Sequence, residues 1–215
     1  MRPPRCFPDY TTQLADYPEH WANDEASMTI QYAIVAFPSL DHGDRIEAVR
    51  QRIDPLAGVL RAHVTLVFPF ADDAVAPHLQ AHVARAVSGI SAFDITLTGP
   101  TVADGGYLFL EVASGAELLV RLHDQLYSGL LAPYLSSAHS YEPHITLGRL
   151  ATAEELGTAA RDAHRVLGGA LSGRVTELSA FRLDQPTRGV VEFTVPLDST
   201  TSSRLGSAYT TPIVR

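Results

Sequence analysis

Two short strings in this chain are built alike. One is His63-Val64-Thr65-Leu66 and the other is His144-Ile145-Thr146-Leu147. Side chains of an extended strand alternate between faces, so His63 and Thr65 project together, as do His144 and Thr146. Val64 and Leu66, like Ile145 and Leu147, then anchor the opposite face in a core. An imidazole has a reference pKa near ~6.5, so of two histidines one can be neutral and the other protonated at neutral pH. That pair suits acid–base cleavage of a phosphodiester. The neutral histidine takes a proton from the attacking water, and the imidazolium gives one to the departing oxygen. Each such transfer is typically worth about 100- to 10,000-fold. The threonine hydroxyls can donate hydrogen bonds to the non-bridging phosphate oxygens, where charge gathers in the transition state. These four groups suffice for the chemistry, so the sequence calls for no metal and no cofactor.

An isolated strand histidine is most simply a residue satisfied by neighbouring backbone. Two in matched strings are a different matter. From this composition such a string arises roughly once per thousand histidines, yet it occurs twice among nine. Other groupings carry less. His78 and His82 stand i,i+4 in a helix-like stretch, without an intervening glutamate or a third metal ligand. Asp162 and His164 fall on a polar helix face. His139 and His144 flank a loop. Phe68 and Phe70 are expected in the core. No nucleophile elbow, phosphate-binding P-loop or dinucleotide glycine fingerprint is present.

The elements that must hold the two strings alternate along the chain. Strands are predicted at Gln31 to Phe37, at Ala62 to Phe68 up to Pro69, and at Phe93 to Thr101 and Tyr107 to Val112 around the Asp104-Gly105-Gly106 turn. Further strands are predicted at His144 to Gly148, and at Val175 to Asp184 and Val190 to Leu197 around Gln185 to Gly189. Helices are predicted at Asp41 to Ile53 with Asp41 as cap, Asp73 to Ser88, Ala116 to Leu130 and Thr152 to Leu167. Leu118, Leu119, Leu122 and Leu126 mark the apolar face of the third. Thr152 and Glu155 have capping-box spacing in the fourth. Each half of the chain thus reads strand, helix, histidine-bearing strand, helix and two strands, a weak internal repeat that points to two comparable α+β lobes. Residues 1–27 form a polar, Pro-rich extension preceding Met28, which we expect to be the true start. Residues 28–197 are expected to form one bilobal domain, and 198–215 a Ser/Thr-rich tail.

Composition excludes several classes of function. Of 215 residues, 46% are hydrophobic and 19% charged, an ordinary globular mix. The single cysteine, Cys6, excludes an internal disulfide framework. The cationic residues number 16 against 24 acidic, a net charge of −8. All are arginine, which excludes Schiff-base catalysis and a P-loop lysine. A net-acidic surface is poorly suited to tracking an extended duplex, although a local arginine can still hold a nucleotide or an RNA end. No apolar run approaches the roughly 18 residues of a membrane span, and the opening segment lacks the apolar stretch of a secretion signal. A cytoplasmic monomer without a membrane partner is therefore expected.

The paired His-hydrophobic-Thr-hydrophobic strings resemble those of the 2H phosphoesterase superfamily, the 2′-5′ RNA ligase-like or RNA 2′,3′-cyclic phosphodiesterase family. The resemblance extends to His63-Val-Thr-Leu-Val-Phe-Pro-Phe70 and Pro143-His-Ile-Thr-Leu-Gly-Arg149, and it covers residues 30 to 197. It implies an α+β bilobal fold, with pseudo-symmetric lobes each holding an antiparallel sheet and helices, and with one motif from each lobe facing a central cleft. It implies hydrolysis of 2′,3′-cyclic phosphates or related diesters on a nucleotide or RNA end, with His63, Thr65, His144 and Thr146 as the catalytic set. Arg149 stands where the family often carries a basic residue and could contact substrate, although strict alternation puts it on the face opposite His144. Tyr141 and Tyr107 could stack on a base at the cleft rim. Two alternatives remain open: the reverse reaction, 2′-5′ RNA ligation, and a non-catalytic nucleotide- or RNA-binding module.

Overall fold

The computed structural model describes residues 30–72, 75–136, 140–185 and 188–198. The expected leader with Met28, the segment with His139, and the tail beyond Asp198 lie outside the described residues. Asp198 itself is fastened to the domain. Its amide donates to the Ile90 carbonyl and its own carbonyl accepts from Ala92.

Among the described residues nine strands form one sheet, antiparallel throughout. They are β1 (Gln31–Ala36), β2 (Ser39–Leu40), β3 (Val64–Phe70), β4 (Phe93–Ala103), β5 (Tyr107–Ser114), β6 (His144–Arg149), β7 (Leu171–Val175), β8 (Glu177–Gln185) and β9 (Arg188–Pro196), in the order β2-β7-β4-β5-β6-β3-β1-β8-β9. The sheet has a narrow waist, because β3 and β6 pair only at Val64 and Ile145. On one side of the waist lie β3, β1, β8 and β9, and on the other β6, β5, β4, β7 and β2. Helices α1 (Gly43–Ile53) and α4 (Ala153–Leu167) pack against the β6 half, and α2 (Ala76–Val87) and α3 (Ala116–Leu126) against the β3 half. The two lobes are therefore interleaved in sequence rather than being its first and second halves. One apolar cluster runs behind both, from Ile34 and Val64 to Ile95, Leu110 and Ile145.

Local signals account for most elements. The α3 face holds Leu119, Leu122 and Leu126 fully buried. Thr152 caps α4 through the Glu155 amide, and Glu155 returns a bond to the Thr152 amide, the reciprocal pair of a capping box. Three expectations are corrected. Asp41 does not cap α1. His42 occupies the N-cap position, in the left-handed region at φ 59° and without a side-chain cap bond, while the Asp41 amide donates to the Ser172 carbonyl. Strand β3 does not stop at Pro69 but runs through it to Phe70. Helix α3 ends at Leu126, and a 3₁₀ turn from Gly129 to Tyr134 follows.

Strands β2 and β7 were not anticipated. In β7 the core-facing positions are Leu171, Gly173 and Val175, so the glycine interrupts an otherwise apolar alternation. Gly173 is small because Leu40 of β2 lies against it, where a Cβ would meet the leucine at 2.6 Å. Among the described residues no helix is long and apolar enough to cross a membrane.

Candidate active site

The waist of the sheet brings the two motifs together. Val64 and Ile145 are register partners and both are completely buried. Extending that antiparallel register one residue each way sets His63 across from Thr146 and Thr65 across from His144. All four side chains lie on the face opposite the buried pair and all are half-buried. The arrangement has an approximate two-fold axis through Val64 and Ile145, with histidines on one diagonal and threonines on the other. Cross-strand neighbours of this kind sit about 4.5–5.5 Å apart and diagonal ones about 7–8 Å.

Each imidazole is oriented in the same way. His63 Nδ1 lies 2.8 Å from the Arg61 carbonyl and His144 Nδ1 lies 2.7 Å from the Glu142 carbonyl, two residues upstream in both cases. A carbonyl only accepts, so Nδ1 carries the proton and Nε2 is the nitrogen that exchanges one. Each ring also packs on a phenylalanine from the adjacent strand or its end. Phe37 meets His63 edge-on at 6.2 Å between centroids, and Phe109 stacks on His144 at 3.9 Å. An arginine caps the aromatic group on each side, with Arg61 4.2 Å over Phe37 and Arg149 5.1 Å over Tyr107, which itself stacks on Phe109.

The charges break this symmetry. Burial lowers the His63 pKa to about 4, and the positive charges of Arg50 and His144 add to that effect against the Arg61 carbonyl. Burial also lowers the His144 pKa, but there the Glu142 carbonyl and the negative charge of Glu111 oppose it. Glu111 of β5 is the register partner of His144. Cations thus stand beside His63 and a carboxylate beside His144.

Arg149 lies on the same face as His144, contrary to simple alternation. The pairing of β5 with β6 runs Phe109 to Thr146 and then Leu108 to Gly148, so Leu147 is an extra residue that returns Arg149 to the Tyr107 side. Strand β3 does the same after its own motif. Thr65 pairs with Val35 and Val67 with Ile34, leaving Leu66 as the bulge. The fourth residue of each motif is therefore a bulge. Phe68, placed like Arg149, turns out of the main core to pack with Ala103, Tyr107 and Phe109, whereas Phe70 is in the core as expected.

Tyr107 is buried, 6% exposed, rather than at a rim. Tyr141 is half-buried. Its hydroxyl donates to the Thr65 carbonyl at 2.8 Å, and its ring stacks on His123 at 3.9 Å. His123 Nδ1 in turn meets the Leu66 carbonyl, and the Tyr127 hydroxyl accepts from the Phe68 amide. These side chains satisfy the β3 edge where β6 leaves it. His82 donates to the Leu126 carbonyl and His78 is exposed, so they do not form a pair of ligands. Among the described residues no group of three or more His, Cys, Asp or Glu could hold a metal. Glu111, Phe37 and Phe109 escaped the sequence reading because nothing in their own neighbourhoods marks them. Only strand pairing brings them to the motifs.

Comparison with known proteins bears on this arrangement. A protein of Geobacillus sp. (strain WCH70), named "Putative phosphoesterase", is 31% identical over 123 residues, 56% of this chain and 69% of that one. The crystal structure of Escherichia coli LigT in apo form superposes with a TM-score of 0.54 at 16% identity, covering 80% of this chain and 99% of LigT. The structure of LigT complexed with 3′-AMP superposes with a TM-score of 0.53 at 19% identity over 80% and 99% of the two chains. At these identities the likeness to LigT establishes the fold, an α+β fold of the 2H phosphoesterase kind. The family described as the 2′-5′ RNA ligase superfamily matches residues 38–187, a span that contains both motifs and all the strands that carry them. By that match the chain belongs to the 2′-5′ RNA ligase superfamily.

Proposed function

We propose that this protein is a phosphoesterase that hydrolyses a cyclic phosphodiester, a 2′,3′-cyclic phosphate on a nucleotide or RNA end, by acid–base catalysis without a metal. The observation that carries the reading is the two-fold His–Thr quartet at the sheet waist, with both Nδ1 protons engaged by backbone carbonyls. The charge asymmetry supports a division of roles. His63, kept neutral by burial and by cations, takes a proton from water through Nε2. The water oxygen bonds to phosphorus while the bond to one ribose oxygen breaks. His144, whose protonated form is favoured by Glu111, gives its Nε2 proton to that oxygen. Thr65 and Thr146 donate hydrogen bonds to the non-bridging oxygens. Arg149, Tyr107 and Tyr141 are proposed to serve the substrate beyond the phosphate, Arg149 directly and the tyrosines through the walls they build. A small nucleotide suits this cleft, in keeping with the 3′-AMP bound by LigT.

The test is turnover of the four nucleoside 2′,3′-cyclic monophosphates and a cyclic-phosphate-ended oligoribonucleotide in EDTA. Wild type is expected to be active, and His63→Ala and His144→Ala to lose about 100- to 10,000-fold each. Full activity in either folded variant overturns the assignment.

A further inference from the structure

We infer that Arg50, with Glu47 and Asp54, forms a positioning device that holds His63 in register for the reaction, an inference that rests on the function proposed above. Arg50 is only 1% exposed. Its guanidinium is fully used. Nη1 reaches Glu47 at 3.0 Å, Nη2 and Nε reach Asp54 at 2.6 and 3.0 Å, and Nη2 also donates to the Leu60 carbonyl at 2.7 Å. Glu47 then accepts the Ala62 amide at 2.5 Å, and Asp54 accepts the Leu56 amide at 2.9 Å. The segment between α1 and β3 is therefore tied at residues 56, 60 and 62. Two of those ties bracket Arg61, whose carbonyl takes the Nδ1 proton of His63. The path runs from a buried cation, through backbone, to the tautomer and direction of one imidazole.

A buried charge of this kind is not needed for stability alone, since apolar groups of similar volume often do as well. Its value lies in geometry, because a rigid fork fixes several acceptors at once. The same segment packs Leu60 with Ala33, Val35, Phe37 and Phe181, and Phe37 is the ring that meets His63 edge-on, so its placement also sets the aromatic wall beside His63. His144 is held differently. Its orienting carbonyl belongs to Glu142, and the next residue, Pro143, accepts from the Val112 amide. The device is thus specific to one histidine of the pair.

The experiment compares Arg50→Met, Arg50→Lys, Glu47→Leu and Glu47→Gln with wild type. Folding is checked by near-UV circular dichroism. Both histidines are followed by ¹⁵N-resolved NMR of their ring nitrogens, and kcat and KM are measured on the cyclic phosphodiester. Arg50→Met and Glu47→Leu are expected to lose at least tenfold in kcat with KM changed by less than threefold. The His63 ring signals should shift or broaden while those of His144 stay in place. Glu47→Gln keeps the acceptor for Ala62 and should restore most of the activity. The charged groups around His63 are Arg50 and Glu47 from α1, Asp54 and Arg61 from the connecting segment, and His144 from β6. Loss of the Arg50 cation should therefore raise the acid limb of kcat/KM, whereas Arg50→Lys leaves that limb unmoved. Unchanged kcat and an unchanged His63 spectrum in folded Arg50→Met and Glu47→Leu overturn the inference, as does equal disturbance of both histidines. If wild type turns over no cyclic phosphodiester, the proposed function fails, and the His63 spectra still decide whether the network positions that ring.

Discussion

His63 and His144 are chemically alike and differ only in their company. Burial depresses both imidazoles, His63 to about 4, while the negative charge of Glu111 favours the protonated form of His144. With His63 as base and His144 as acid, the expected kcat/KM profile is a bell whose acid limb lies near pH 4. Its acid limb reports the base losing its lone pair, and its alkaline limb reports the acid losing its proton. Removing the Glu111 charge withdraws support from the His144 imidazolium. Glu111→Gln should therefore move the alkaline limb to lower pH and leave the acid limb in place. A pH series on the two proteins checks this, and a shift of the acid limb instead would reverse the roles of the histidines. The pH dependence of folding has the same origin. The unfolded chain takes up a proton on His63 near pH 6.5 and the native state only near 4. Native stability is therefore expected to fall as pH drops through that interval.

Among the elements, β6 is the most constrained. Its bulge at Leu147 turns Arg149 to the face of His144, and Gly148, just after the bulge, is the point where α1 closes on the strand. A Cβ there would fall against the Ile53 carbonyl and side chain. Gly148→Ala is expected to cost about 1–3 kcal/mol through overpacking. Gly58→Ala, where nothing lies within 4 Å of the new methyl, should be close to neutral. Urea denaturation of both variants measures the difference. The bulges also show why alternation misplaces Arg149 and Phe68. Period-two reasoning holds only while both strands advance together, and no residue in Leu66-Val67 or Leu147-Gly148 announces that an extra one has been inserted. The capping box of α4, by contrast, is readable because both partners lie within four residues of each other.

Across the whole molecule, the two lobes are joined by a single register pair in the sheet but share one core. Strands of the β3 lobe come from both ends of the domain, and the core cluster takes buried residues from both halves of the sheet and all four helices, with Leu40 of β2 packed against it. Neither lobe can bury its apolar face alone. Unfolding is therefore expected to be one cooperative transition, with circular dichroism and tyrosine fluorescence coinciding over a denaturant series. Two separated transitions would show lobes that fold independently. The waist also sets the candidate site. One ladder pair is enough to fix the quartet in register, and the divergence of β3 from β6 beyond it, filled by Tyr141 and His123, opens the face on which the four side chains stand.

The chain by itself determined the candidate chemistry, since His63, Thr65, His144 and Thr146 and their apolar neighbours combine strand alternation with imidazole and hydroxyl groups within four residues. It also determined most helices and strands, whose periodicity and caps are local. Only the tertiary structure decided that the two strings face each other across one buried pair. It alone placed Arg50 behind His63 and Glu111 beside His144, and turned Arg149 to the face of His144. The reason is physical. Those relations arise from register, bulges and burial between segments far apart in sequence, and such long-range pairing leaves no mark in either segment alone.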